Sequence, residues 1–421
     1  MAREPPGRAP GGSSAVSPTC HRDRLESFRT QHADHVCTAL KGESELKRKA
    51  LPPVLTVMVG GARLLYSGMK LLPVRRKVVL ITREPKRITI DFAMLKESIQ
   101  RDYPDHSVVL IKHKKLSFAY AAKAVREMYH LATCQACVVD GYIIPVSILN
   151  HREQLRIAQV WHALGAIKNF GHLASGTREG PHPKVAEIMQ MHKQYTFITA
   201  AGSVPAEIYT AAFGVSHEAV CPLGMPRVDY LLDEGRMAAR RAEILKAYPQ
   251  LEGRKVVLYA PTFRRGRHIP YTQLATAMRD PEATLVLVPH PLDKSSLPEG
   301  DHVVIGLSFG VLDWLSIADA LITDYSAVAY EATLRDIPLV FWPYDMDEYI
   351  GARGLAIDYD AEVPGPVVET AAEAMETALT FETPDYTEFR SKHLDYVTDD
   401  GVLPADSPAC TEAIVRALEL R

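Results

Sequence analysis

The sequence has 421 residues, 47% of them hydrophobic and 24% charged, with a formal net charge of -3. The length exceeds one ordinary domain and points to two, while the near-neutral charge excludes the basic footprint of a nucleic-acid binder. The 6 cysteines are scattered along the chain, form no disulfide framework and indicate a reducing, cytoplasmic compartment.

Residues 1–50 open with "MAREPPGRAPGGSSAVSP", a Pro-, Gly- and Ser-rich stretch that predicts a disordered segment. It lacks the order of a signal peptide. An over-extended gene start, with Met58 as the initiator, would account for it. Residues 51–76 are apolar but broken by Pro, Gly, Arg and Lys, and fall short of the roughly 18–20 apolar residues of a spanning helix. Two readings stand side by side. "LLYSGMKLLPVRRK", together with "IKHKK" at 111–115, lies on an anionic membrane surface, or the segment is a helix packed on its own domain.

From Lys77 onward, short apolar runs alternate with helical stretches. Strands are predicted at 77–83, 107–112, 136–140, 156–162 and 194–200, with helices at 91–100 and 118–133. The runs are solidly apolar, without alternation, as in a parallel sheet covered on both faces. Within them Cys134 and Cys137 form a lone CxxC with no second pair and no His cluster, which predicts plain thiols. "CPLGMPRVDYL" (221–231) reads as a linker, and 234–248 as a helix. Strands then resume at 255–263, 283–290, 302–306, 319–324 and 337–342, and "DSPACTEAIVRALELR" ends the chain as an amphipathic helix. This is an α/β chain of two doubly wound, Rossmann-like domains, 77–220 and 221–395, with a C-terminal helix in 396–421.

Ligands in such sheets bind beyond the C-terminal ends of the strands, and polar residues gather there. The run at 319–324 ends in Thr323-Asp324-Tyr325-Ser326, followed by a helix-forming stretch. Ser326 suits an N-cap or first turn, where unpaired amides and the helix dipole attract phosphate. Ala327 keeps the approach open, and Asp324 is placed to cap loop amides. Glu331, about one and a half turns on, is placed to reach a ribose. Trp161-His162 ends another strand, where an imidazole of near-neutral pKa can take a proton from a hydroxyl; packing against Trp161 is the plain alternative. "LYAPTFRRGRHIP" presents Thr262, Arg264, Arg265, Arg267 and His268, a guanidinium cluster suited to a diphosphate or a solvated basic loop. His290 in "LVPHP" has the same location. "YDMDEY" (344–349) reads as a solvated turn.

"VWHALGAIKNFGH", "LYAPTFRR", "LVPHP" and "ITDYSAVAYEATLRDIPLVFWPYDMDEY", in that order, resemble the CDP-glycerol glycerophosphotransferases, the teichoic-acid primases and polymerases of bacteria. The resemblance covers about residues 65–395. It implies a GT-B fold with two Rossmann-like domains across a cleft, CDP-glycerol on the C-terminal domain, a prenyl-diphosphate-linked acceptor at the inner face of the membrane, and CMP as leaving group. It implies His162 as base, His290 and 323–327 around the donor phosphates, and, less closely matched, Arg264 and His268. No cofactor or metal is called for. Ala163 replaces the family's usual Gly, Ala327 its second Ser, and Glu331 an Asp, which leaves CDP-ribitol or another CDP-alcohol open as donor. Alternatives are a GT-B glycosyltransferase or nucleotide-sugar epimerase, which share the fold, and a non-catalytic membrane-surface module.

Overall fold

The computed structural model describes residues 45–84, 87–112, 120–290, 293–382 and 384–421. The segment expected to be disordered lies outside these up to residue 44, as do residues 113–115 of "IKHKK"; from Glu45 the backbone is helical. Residues 52–421 form one compact unit, which carries every feature described below.

The first helix, α1 (Glu45–Met69), packs one face on its own domain, the second of the two readings of its segment. Its inward face sets Val59 and Tyr66 into a core with Val79, Ile81 and Cys134. Tyr66 Oη lies 2.8 Å from His151 Nδ1, and Arg63 Nε donates to the Ile148 carbonyl at 2.7 Å. Its outward face leaves Val57, Met58, Leu64 and Leu65 exposed, and the segment after it adds Leu71, Leu72 and Val74. No helix among the described residues is long and apolar enough to cross a membrane.

A six-stranded sheet follows, built from β1 (Lys77–Thr82), β2 (Ser107–Lys112), β3 (Ala136–Val139), β4 (Arg156–Gln159), β5 (Phe197–Thr199) and β6 (Val220–Cys221), in the order β2-β1-β3-β4-β5-β6. Every pairing is parallel. The Val- and Ile-rich β1 and β3 are buried along their whole length, as a sheet with helices on both faces requires. Among those helices are α2 (Ile90–Asp102) and α3 (Tyr120–Thr133). Thr89 caps α2, its side chain accepting from Phe92 N at 3.3 Å. β4 stops short of its predicted end at 162 because Trp161 takes φ 55°, which no strand accommodates.

The segment expected as a linker is ordered structure. Cys221 ends β6, and the helix α4 (Pro226–Leu232) comes after it, using Pro226 in its first turn, where the missing N–H costs nothing. The second sheet has five parallel strands, β7 (Lys255–Tyr259), β8 (Ala283–Leu287), β9 (Val303–Ile305), β10 (Ala320–Thr323) and β11 (Leu339–Phe341), in the order β11-β10-β7-β8-β9. The short α5 (Val328–Thr333) follows β10. The chain then returns: α6 (Cys410–Ala417) packs Ile414 and Val415 against Val78, Leu80 and Phe92 of the first lobe. Asp229 fixes its start, accepting from Cys410 N at 2.9 Å and Thr411 N at 2.7 Å.

Each sheet reverses its strand order once, between β1 and β3 in the first and between β10 and β7 in the second. A crevice opens at such switch points, where successive crossovers leave to opposite faces.

Candidate active site

At the first switch point, β1 ends in Thr82 and Asp140 follows the end of β3, and Thr82 Oγ1 donates to Asp140 Oδ2 at 2.5 Å. Burial raises the Asp140 pKa to about 6. His162 hangs on this pair, with Nδ1 2.9 Å from the Asp140 carbonyl. A carbonyl only accepts, so Nδ1 carries the proton and Nε2 keeps its lone pair. The ring is held from behind by Trp161, centroids 4.1 Å apart, which itself stacks on Phe170. His162 is open on one side yet surrounded by protein, and that desolvation, with the charges of Arg227, Arg83 and Lys168, pushes its pKa down to about 4. It is a neutral base at physiological pH.

The second switch point is knotted by Asp324. Its Oδ1 accepts from Thr262 N at 2.8 Å and Tyr325 N at 2.6 Å, and its Oδ2 from Arg264 Nη2 at 2.9 Å. This joins the loop after β7 to the loop after β10, and the expected amide capping by Asp324 is how it does so. Thr323 Oγ1 donates to the Ala260 carbonyl at 2.8 Å, a third tie between the same loops.

Arg264 has a different place from the anion ligand expected of it. It is buried, and its three nitrogens serve Asp324, Asp345 and the Thr262 carbonyl, the Asp345 contacts being 2.7 and 2.9 Å. Tyr325 and Tyr349, stacked 4.0 Å apart, lie under its guanidinium. Its positive charge is consumed in ordering the loops, and Asp345 is a half-buried partner where the sequence suggested a solvated turn. Glu331 is likewise buried and bound, 2.7 Å from Arg227 Nη1, which removes it from any ribose. Arg227 also holds Asp91 and donates to the His162 carbonyl at 2.8 Å. His268 and Arg265 are exposed, and Arg267 pairs with Glu348 at 2.8 Å.

Ser326 and Ala327 remain partly exposed at the tip of the second switch point. Ser326 does not cap a long helix: α5 has six residues, and Val328 N lies 3.5 Å from Ser326 Oγ. The Thr262 hydroxyl is buried without a hydrogen-bond partner among the described residues. His290 stacks on Phe263 at 4.9 Å, and burial together with the charge of Lys168 lowers its pKa.

The two switch points are brought together by the segment after His162. Asn169 N donates to the Gly354 carbonyl at 3.1 Å, Ala356 N to the Ile167 carbonyl at 2.8 Å, and Lys168 bridges to Leu355. Gly165 lies against the Tyr330 ring so closely that no Cβ fits. Lys168, on this segment, is partly buried, and burial with the charge of Arg353 lowers its pKa to about 7. Sequence reasoning passed over both Lys168 and Arg227. A lysine six residues after His162, inside the apolar "ALGAIKNF", was the available signal for the first.

Two doubly wound parallel sheets with polar switch points define a GT-B fold. A solved structure of the wall teichoic acid polymerase TagF matches with a TM-score of 0.67 at 19% identity, over 88% of this chain and 96% of that one, a likeness of fold. A profile of the family CDP-Glycerol:Poly(glycerophosphate) glycerophosphotransferase matches residues 64–402, and the chain belongs to that family. It is 30% identical, over 70% of its own length and 80% of the relative's, to the teichoic acid ribitol-phosphate primase of Bacillus spizizenii. It is equally 30% identical, over 64% and 70%, to the teichoic acid glycerol-phosphate primase of the same organism. It spans 60% of that organism's poly(ribitol-phosphate) polymerase. The protein is thus a transferase of substituted phosphate groups acting on a CDP-alcohol.

Proposed function

We propose that this protein transfers glycerol phosphate from CDP-glycerol to a hydroxyl of a prenyl-diphosphate-linked cell-envelope primer or polymer and releases CMP. The observation that carries the reading is the tautomer of His162: Nδ1 is spent on the Asp140 carbonyl, so Nε2 is a neutral base at the first switch point. The acceptor oxygen bonds to the phosphorus that bears the glycerol. The bond from that phosphorus to the bridging oxygen breaks, CMP leaves with the electron pair, and the hydroxyl proton goes to His162 Nε2. Phosphoryl transfer of this kind needs placement and charge neutralisation more than covalent help. Ser326 and the amides beside Ala327 are left at the second switch point to meet the donor phosphates, because Thr323, Asp324, Tyr325 and Arg264 are occupied in shaping it, and His290, stacked on Phe263 of the loop after β7, lies on the donor side.

A second reading, CDP-ribitol as donor, is favoured by the likeness to a ribitol-phosphate primase. The acceptor's lipid places the protein at the inner face of the membrane, and the exposed apolar side of α1 with Arg75 and Arg76 beside it suits that surface.

The test is CMP release from CDP-glycerol and from CDP-ribitol with a lipid-linked acceptor. Acceptor-dependent release that falls about 10²- to 10⁴-fold in His162→Ala, the span of general base catalysis, supports the reading, with Ser326→Ala acting chiefly on KM. Turnover of CDP-ribitol alone moves the donor. Hydrolysis or transfer from a UDP-sugar, with neither CDP-alditol used, overturns it.

A further inference from the structure

Asp140 meets His162 with its backbone carbonyl, 2.9 Å from Nδ1, and spends its carboxylate on the end of β1. Thr82 Oγ1 donates to Oδ2 at 2.5 Å and Arg83 N to Oδ1 at 3.1 Å. The Thr82 hydroxyl in turn accepts from Glu84 N at 3.0 Å, which leaves its own proton for the carboxylate. The side chain of residue 140 thus anchors the peptide whose oxygen holds the imidazole.

The far side of the same turn is held by β4. Gln159 Nε2 donates to the Gly141 carbonyl at 3.1 Å, and Gln159 Oε1 accepts from Trp161 N at 2.9 Å, at the left-handed residue that ends the strand. Gly141 lies so close to Arg83 that a Cβ on it would stand 3.0 Å from the Arg83 Cδ. Thr82 and Gln159 have no exposed surface, so neither reaches a substrate. Whatever they contribute to the reaction passes through Asp140 and His162.

We propose that Thr82 is a positioning residue for the base: through the Asp140 carboxylate, its hydroxyl aims the Asp140 carbonyl at Nδ1 and so fixes His162 in the tautomer whose Nε2 lone pair is free. The proposal rests on the reading of His162 as the base. A carboxylate bonded directly to Nδ1 would orient the ring as well, but it would also favour the charged imidazolium. A carbonyl orients the ring and leaves it neutral, as a base must be before it takes a proton. Without the Thr82 hydroxyl, a buried carboxylate loses a donor that water cannot replace. The peptide at 140 is then free to turn, Nδ1 loses its acceptor, and the neutral ring populates both tautomers, of which one alone presents Nε2 as a base.

The test compares wild type with Thr82→Val, which keeps the shape and loses the hydroxyl, and Thr82→Ser, which keeps the hydroxyl. Nitrogen-15 resonances of the histidine rings, assigned against His162→Ala, report the tautomer, and CMP release from each CDP-alditol with a lipid-linked acceptor reports turnover. In wild type and Thr82→Ser the proton of His162 is on Nδ1. In Thr82→Val the ring is a mixture of tautomers, and kcat falls about 10- to 100-fold, the loss of one hydrogen bond to a charged group. KM for the donor is unchanged, because Thr82 touches no substrate. Should Thr82→Val not fold, Thr82→Cys takes its place, its thiol being a weak donor. A wild-type tautomer in the variant that lacks the hydroxyl overturns the proposal, as does a loss of kcat that Thr82→Ser shares. A wild type that uses neither CDP-alditol, with the tautomer still following the hydroxyl, removes the donor reading alone.

Discussion

Arg227 Nη1 donates to Glu331 Oε1 at 2.7 Å, and the same nitrogen donates to the His162 carbonyl at 2.8 Å. Since Arg227 lies on α4, Glu331 on α5 of the second lobe and His162 on the first, a single guanidinium sets the spacing between the base and the donor side.

Arg227→Met leaves Asp91 and Glu331 buried without their counter-charge. The expected loss is about 3–5 kcal/mol of folding stability, as for one-sided removal of buried ion pairs. Chemical denaturation measures it. Arg227→Met combined with Glu331→Gln recovers part of the loss, since one orphaned charge is then gone.

Arg264 makes its contacts through a planar fork to two carboxylates and a carbonyl. Arg264→Lys cannot reach all three, and a cost of at least about 2 kcal/mol follows. A melting curve unchanged from wild type would show that the loops after β7 and β10 are held without it.

Gly165→Ala pushes a methyl group into the Tyr330 ring, across the two lobes. Overpacking of this kind costs about 1–3 kcal/mol, and Tyr330→Leu in the same chain restores part of it. Because the contact spans the lobes, the single variant also shows a raised KM for donor in steady-state kinetics.

What the sequence made legible was the alternation. Val- and Ile-rich runs such as "KVVLIT" and "ATLVL" carry enough burial to declare strands, and the Trp-His and Thr-Asp-Tyr-Ser ends stood out because polar residues interrupt apolar runs there. What stayed hidden was pairing. Nothing local distinguishes Arg264, which is ion-paired and buried, from the exposed Arg265 beside it. Glu331 looked available because Arg227, 104 positions away, is not visible from its neighbourhood. Prolines misled at 221–231, where Pro226 starts a helix.

Acidification destabilises the fold. His130, His151 and His393 are pushed to about 4 and His192 to about 3, each chiefly by burial. The unfolded chain binds those protons near the ordinary His value of about 6.5, so stability present above that value is lost as pH falls toward 4. Asp140, raised to about 6, works the other way and offsets only part. Thermal melts taken from pH 7.5 down to 5 fall steadily; a flat profile contradicts the buried neutral histidines.

Leu64 and Leu71 are 78% and 88% exposed on the outer side of α1 and just beyond it. Leu64→Asp with Leu71→Asp abolishes flotation with anionic liposomes and leaves the melting temperature unchanged. Undiminished flotation rejects that face as the membrane contact.

The helix α6 completes the core of a sheet whose first strand lies more than 300 positions earlier, with Ile414 and Val415 against Val78 and Leu80. During synthesis the first lobe emerges long before the residues that close it. Its hydrophobic surface stays open until the second lobe and residues 410–417 have left the ribosome, so the lobe made first is finished last. A ribosome stalled anywhere before Cys410 holds an unclosed protein.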